Sequence, residues 1–433
     1  MIKKRLWQRS TELVKAAGRV AAQELSYRAK EALSKNLESS VLGTRIDQAK
    51  ILVESLAQLK GAAMKAGQLL SLEAANYLPP EVLQILSQLQ GDAQPVPFEQ
   101  IEEVLRAELG ENLYREFESL NPVPVAAASI AQVHRSRYQG KEVAIKVQYP
   151  GVGEAIHSDL TLLKKVAASL LTVSGRKIPL DELFVELENV LHQETNFLNE
   201  AENLVRVREL LRNSQSFAVP KVVSDLCRRR VLVMSWEEGE RLGQWIQRPL
   251  SQEQIAIIAD RFLDLFCTEF FDWGIVQTDP NFANFLVRED PLQLVLLDFG
   301  ATLTYDFEFR QSYREILKAA FAADDDKLLR LSEELELIDP RENKETQQAF
   351  LLMMMNSIKP FRPEEQPFNF ADSEYESVLR QATLQFMRLV RYTPPPRRIL
   401  FLHRKLGGIF NLLRRIRVQR DLTPYWERIR GPA

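Results

Sequence analysis

The stretch "QTDPNFANFLV" sets Asp279 and Asn284 in an Asp-x-x-x-x-Asn spacing, and Asp298 follows in "LLDFGAT". Phosphoryl transfer from a magnesium-bound nucleotide uses this set. One aspartate sits beside the nucleophile, an asparagine and a second aspartate hold the metal, and a lysine holds phosphate oxygens. The lysine candidate is Lys146 in "EVAIKV". An ammonium between apolar neighbours needs an anion, and phosphate together with a carboxylate would serve. A helix should supply the carboxylate. "HQETNFLNEAENL" offers Glu194, Glu200 and Glu202, of which Glu200 is assigned to Lys146. Upstream of Lys146, where a glycine-rich loop would approach phosphates, the chain reads "VAAASIAQVH". Downstream, "RRRVLVMSWEEGERL" has the pattern of a strand leading to a hinge. The backbone from Val233 through Met234 and Trp236 to Glu238 would there meet a purine.

Positioning these groups requires particular elements. Apolar residues at helical spacing fill the first 120 residues, with Pro80 suited to a first helical position. Near residue 130 the period changes, and "IAQVHRSRY" and "KEVAIKVQYP" alternate as strands about a Gln139-Gly140 turn. Helical spacing returns over 153–212, and again from 251 onward, where the two aspartate segments interrupt it. This order predicts an α+β, protein-kinase-like two-lobed fold with an N-terminal helical extension. The expected divisions are a basic amphipathic helix at 1–40, a helical extension at 41–120, an N-lobe at 121–238 and a helical C-lobe at 239–433.

The bulk numbers narrow the partners. The chain has 433 residues, 45% hydrophobic and 27% charged, with a net charge of −3. That balance gives no general field for nucleic acid. Two cysteines, Cys227 and Cys267, form no disulfide framework, and four scattered histidines show no metal-ligand spacing. No run approaches the ~18 apolar residues of a membrane span. The expected compartment is the cytoplasm, with peripheral membrane contact through the basic N-terminal helix or the arginines of "RRIRVQR", namely Arg414, Arg415, Arg417 and Arg420.

The set resembles the UbiB/AarF family of atypical kinase-like proteins, which includes the coenzyme Q-associated kinases of mitochondria. "MKAGQLLS", "AAASIAQVHRS", "ETNFLNEAEN", "QTDPNFANFLV", "LLDFGAT" and "LHRKLGG" carry the likeness, over about residues 45–410. The resemblance implies that Lys65, Gly67 and Gln68 belong to a signature helix folded over the active site. It implies that Ala126, Ala127, Ala128 and Ser129 form the nucleotide loop and that Glu194 opens a Glu-x-Asp motif. Lys146 and Glu200 match the phosphate lysine and its partner, Asp279 the catalytic aspartate, and Asn284 and Asp298 the magnesium ligands.

Two departures stand out: the second acid of Glu-x-Asp is Asn196, and Ala131 occupies a position where many relatives have glycine. Alanine avoids positive φ, so the loop is expected to alter nucleotide affinity without destroying the site. No Ala-Pro-Glu segment follows "LLDFGAT", which weakens the case for a protein substrate. The expected function is an ATPase using ATP and Mg2+ in ubiquinone or isoprenoid-lipid metabolism. A lipid or quinone-related precursor, a membrane surface and proteins of a biosynthetic complex are the expected partners. The alternatives are a phosphotransferase on a small molecule or lipid, and a nucleotide-sensing scaffold without turnover.

Overall fold

The computed structural model describes residues 64–67, 95–174, 180–392 and 397–431. The basic helix expected over 1–40, most of the helix over 45–70 and the helix starting at Pro80 lie outside the described residues. The chain divides into two compact units. One comprises residues up to Glu209 together with Pro220–Glu237; the other comprises Leu210–Val219 and Glu238–Ala433.

The first unit is built on a four-stranded antiparallel sheet of Ala126–Ala127, Ala131–Tyr138, Lys141–Gln148 and Val231–Ser235, adjacent in that order. The lysine strand Lys141–Gln148 is paired on both sides, so Val143, Ala144, Ile145 and Val147 are all buried. The reversal at Gln139-Gly140 has φ of 49° and 70°, the left-handed pair that a two-residue hairpin requires. The region 153–212, read from sequence as one helical stretch, resolves into helices Val152–Ser174, Leu180–Glu194 and Phe197–Leu210. The last break has a local cause. Thr195 turns its hydroxyl back to the Leu191 carbonyl at 2.8 Å, and Asn196 Oδ1 accepts from the Leu198 N–H at 3.3 Å as the next helix begins.

In the second unit, Gln293–Leu296 is flanked by Phe285–Arg288 and the two-residue strand Phe217–Ala218, while Ile275–Gln277 pairs with Thr302–Thr304. Helices surround these short strands. Gln252–Cys267, opened by a capping box at Ser251 and Gln254, runs directly into a π-helical turn, Thr268–Trp273. Gly274 ends it at φ 69°, and a Cβ there would lie 2.4 Å from the Tyr305 carbonyl oxygen. Only glycine fits so close an approach in that conformation. Both cysteines are buried thiols, and burial pushes Cys267 up to about 12. Among the described residues no helix is long and apolar enough to cross a membrane.

Candidate active site

In the first unit the sheet fixes Lys146 between Val133 and Leu232 on its neighbouring strands. Its Nζ donates to both carboxylate oxygens of Glu200, at 2.8 and 2.9 Å, and lies 5.3 Å from the centre of the Phe197 ring. The Glu200 side chain is only 2% exposed and that of Lys146 12%. A lysine held by two-point contact to a buried carboxylate has a fixed direction, which a phosphate-binding cation needs. Lys65, on the short helical segment Met64–Gly67, lies 3.0 Å from Glu194 Oε2. Gly67 is buried there, and Gln68 lies outside the described residues. Asn196 faces its own helix start: its amide donates to Asn199 Oδ1 at 3.2 Å while its carbonyl oxygen caps. Asparagine caps as well as aspartate does, so the helix start keeps its cap without the second acid.

The alanine loop is a tight hairpin. Ala126 and Ala127 pair with Val133 and Gln132, and the Ala128 N–H donates to the Ala131 carbonyl at 2.8 Å. Positive φ occurs at no residue from 125 to 131. The backbone is therefore one that alanine adopts without strain. Ala127 and Ala128 are exposed, Ala126 and Ser129 half-buried, and Ala131 is fully buried on the strand. Beneath the loop, Gln132 and His134 form a buried polar chain. His134 Nδ1 lies 2.8 Å from the Asn121 carbonyl oxygen and Nε2 lies 2.9 Å from Gln132 Nε2. A carbonyl can only accept, so Nδ1 carries the proton and Nε2 accepts from Gln132. At the hinge, Val233 and Met234 are buried in the sheet. The Trp236 N–H donates to the Glu142 carbonyl at 3.0 Å, and its ring stacks under Arg135.

In the second unit, two loops are tied together at both ends. The Thr278 N–H donates to the Ala301 carbonyl at 2.8 Å, and the Leu297 N–H to the Asn284 carbonyl at 3.0 Å. This brings the segment of Asp279 and Asn284 against the segment of Asp298. Asn284 Nδ2 donates to Asp279, to Oδ2 and to the carbonyl oxygen, each at 3.3 Å. With Nδ2 committed to Asp279, Oδ1 is the acceptor atom of that amide. Asp298 Oδ1 accepts from the Gly300 N–H at 2.9 Å. One carboxylate and one amide oxygen are hard donors suited to Mg2+, which completes its shell with water and substrate phosphates. No cluster of three or more His, Cys, Asp or Glu capable of holding a metal occurs among the described residues.

Sequence reasoning missed Arg404. It lies in "LHRKLGG", on helix Arg397–Arg415, and its Nη2 donates to Asp279 Oδ1 at 2.8 Å, with side chains 11% and 19% exposed. The adjacent Lys405 is buried, its Nζ 2.9 Å from Glu269 Oε2. Gly408 lets this helix lie against the loop, since a Cβ there would fall 2.0 Å from Pro280 Cβ. The double glycine was the available signal, marking a close approach on one helix face. The C-terminal arginines are largely engaged inside the unit. Arg414 pairs with Glu376, Arg415 lies over the Phe282 ring, and Arg420 makes a two-point contact with Asp260 at 2.6 and 2.7 Å.

Residues 88–332 match the model of the ABC1 atypical kinase-like domain. Among curated proteins, the Caenorhabditis elegans "Atypical kinase coq-8, mitochondrial" is 33% identical over 374 residues, 84% of this chain and 48% of the relative. The Saccharomyces cerevisiae "Atypical kinase COQ8, mitochondrial" is 33% identical over 84% of this chain and 72% of its own length. The Rattus norvegicus "Atypical kinase COQ8B, mitochondrial" is 35% identical over 84% of this chain and 68% of its own. The match thus spans about half of the nematode protein and about two thirds or more of the other two. Among solved structures, a Mycobacterium tuberculosis protein in complex with erythromycin is similar, with a TM-score of 0.62 and 25% identity, covering 87% of this chain and 95% of that one.

Proposed function

The chain belongs to the ABC1 atypical kinase-like family, the UbiB/AarF group, and on that premise we propose that it is a Mg-ATP-dependent ATPase serving ubiquinone or isoprenoid-lipid metabolism. The observation that carries this reading is the Asp279 carboxylate, held by Arg404 on one oxygen and by Asn284 on the other. A carboxylate fixed on both sides beside a second aspartate segment would orient an attacking water or hydroxyl. Asn284 and Asp298 would hold Mg2+, which supplies charge neutralisation on the phosphates. Lys146, directed by Glu200, would hold phosphate oxygens, and Arg404 brings a desolvated cation beside the reacting group. The alanine hairpin would cover the nucleotide with backbone kept slim by small side chains, and the Val233–Trp236 segment would line the base.

Hydrolysis or transfer to a small acceptor is favoured over a protein substrate by the chain after Gly300. Strand Thr302–Thr304 is followed at once by helix Phe307–Ala322, capped by Asp306 through the Phe309 N–H at 2.8 Å. Residues 301–306 leave little chain on which to dock a peptide. The lipid assignment rests on the likeness to the coenzyme Q-associated branch. Phosphate release from Mg-ATP, with and without anionic liposomes, tests the proposal. Release lost in Asp279→Asn supports an ATPase. Label from the γ-phosphate on an extracted lipid or metabolite, with little free phosphate, would replace it with a phosphotransferase. Bound ATP with no turnover in either form would leave the sensing scaffold.

A further inference from the structure

We propose that Lys405, held by Glu269, is a positioning residue for Asp279, acting through the side-chain amide of Gln277. All four groups belong to the second unit. The π-helical turn Thr268–Trp273 delivers Glu269 into the interior, where it is 2% exposed, and Lys405 is 1% exposed. Lys405 Nζ lies 2.9 Å from Glu269 Oε2 and 3.3 Å from Gln277 Oε1. Gln277, itself 4% exposed, donates from Nε2 to the Asp279 carbonyl at 2.8 Å.

The polarity of this chain is forced. A lysine ammonium has only donors, so the amide must turn its oxygen toward Lys405 and its NH2 toward Asp279. With the cation removed, the Asp279 carbonyl still calls for the NH2, but the buried amide oxygen loses its Lys405 donor, so the Gln277 side chain is held at one end only. Glu269 makes the arrangement possible, because an ammonium this deep is stable only beside a counter-charge. Helix Arg397–Arg415 therefore acts on Asp279 twice. Arg404 holds the carboxylate directly, and Lys405 holds the peptide through Gln277. The inference rests on the reading of Asp279 as the catalytic aspartate.

The test uses the full chain. Removing one charge would strand the other in the core, so Lys405→Met is combined with Glu269→Met. Gln277→Leu breaks the relay and leaves the ion pair. Two readouts are taken: amide hydrogen exchange of segment 278–284, and kcat and KM for ATP in phosphate release. The expected result is about tenfold faster exchange in that segment for both variants, with exchange in helix Gln252–Cys267 unchanged. With it, kcat falls about tenfold or more while KM stays within about twofold. Combining all three substitutions adds nothing further. Wild-type exchange and kcat in the folded Lys405→Met/Glu269→Met protein would overturn the proposal and leave the pair a packing feature. Asp279→Asn, run alongside, separates the two ideas. Full turnover in that variant refutes the catalytic reading of Asp279, while the exchange measurement still decides whether Lys405 positions the loop.

Discussion

Gly408→Ala should uncouple helix Arg397–Arg415 from the loop it supports. A Cβ at this position would lie 2.0 Å from Pro280 Cβ and 2.6 Å from Cγ. Carbon atoms in ordinary contact are about 3.5–4 Å apart, so the helix or the loop must retreat by roughly 1.5 Å. A proline ring cannot swing aside as a long side chain would. Arg404 lies one turn away, and its 2.8 Å contact with Asp279 would open beyond hydrogen-bond length under that shift. Forced overpacking costs about 1–3 kcal/mol. Gly407→Ala is the internal control. It is exposed, with nothing within 4 Å of its added Cβ, so alanine there should gain up to about 1 kcal/mol of helix propensity. Both alanines gain that propensity, so the two neighbouring substitutions should differ by the overpacking cost, about 1–3 kcal/mol, in denaturant or thermal melts. ATP turnover should fall about tenfold to a hundredfold in Gly408→Ala only, as expected for a displacement of about 1 Å at a catalytic group. Equal stabilisation by both substitutions with wild-type turnover would refute the reasoning.

Lys146→Met removes the cation from a carboxylate that is 2% exposed and should destabilise the nucleotide-free protein by about 3–5 kcal/mol, most of it restored by adding Glu200→Leu, as read from melts. Burial holds the His134 imidazole below its ordinary value, so the folded state binds that proton less readily than the unfolded chain. Its stabilising contribution should be intact above about pH 6.5 and lost as the pH falls through the depressed folded value. Melts at pH 7.5 and 5.5 should show this drop, and His134→Gln should flatten it. Asn196→Asp should leave stability within about 0.5 kcal/mol, whereas Asn196→Ala should cost about 1 kcal/mol by removing the helix cap. A large loss in Asn196→Asp would show that the amide's donation to Asn199 Oδ1 outweighs the cap.

The local juxtapositions were legible because they are contained in short spacings. Asp279, Asn284 and Asp298 lie in two segments joined by one hairpin, and Gln139-Gly140 announces its own turn. The Lys146–Glu200 pair could be assigned across 54 positions because a cation in an apolar strand demands an anion on a nearby helix. Arg404 and Lys405 could not be read this way. Each basic residue of helix Arg397–Arg415 has the pattern of a solvated face, and only the tertiary fold turns these two inward toward residues more than a hundred positions earlier. The alanine loop was legible as backbone that avoids positive φ, and the fold has none from 125 to 131. The arginines of "RRIRVQR" read as a candidate membrane contact, and their partners Glu376, Phe282 and Asp260, which engage three of them, could not be named because they lie far away in sequence.

The central claim is a magnesium-dependent nucleotide site, and thermal stability with and without Mg-ATP, beside Asp298→Ala, tests it most directly. Nucleotide at about a hundred times its dissociation constant adds about 2.7 kcal/mol to the folded state. At roughly 2–4 °C per kcal/mol, the account predicts a rise of several degrees that needs magnesium and vanishes in Asp298→Ala. Folded wild-type protein with no shift, or an equal shift in Asp298→Ala, would contradict it.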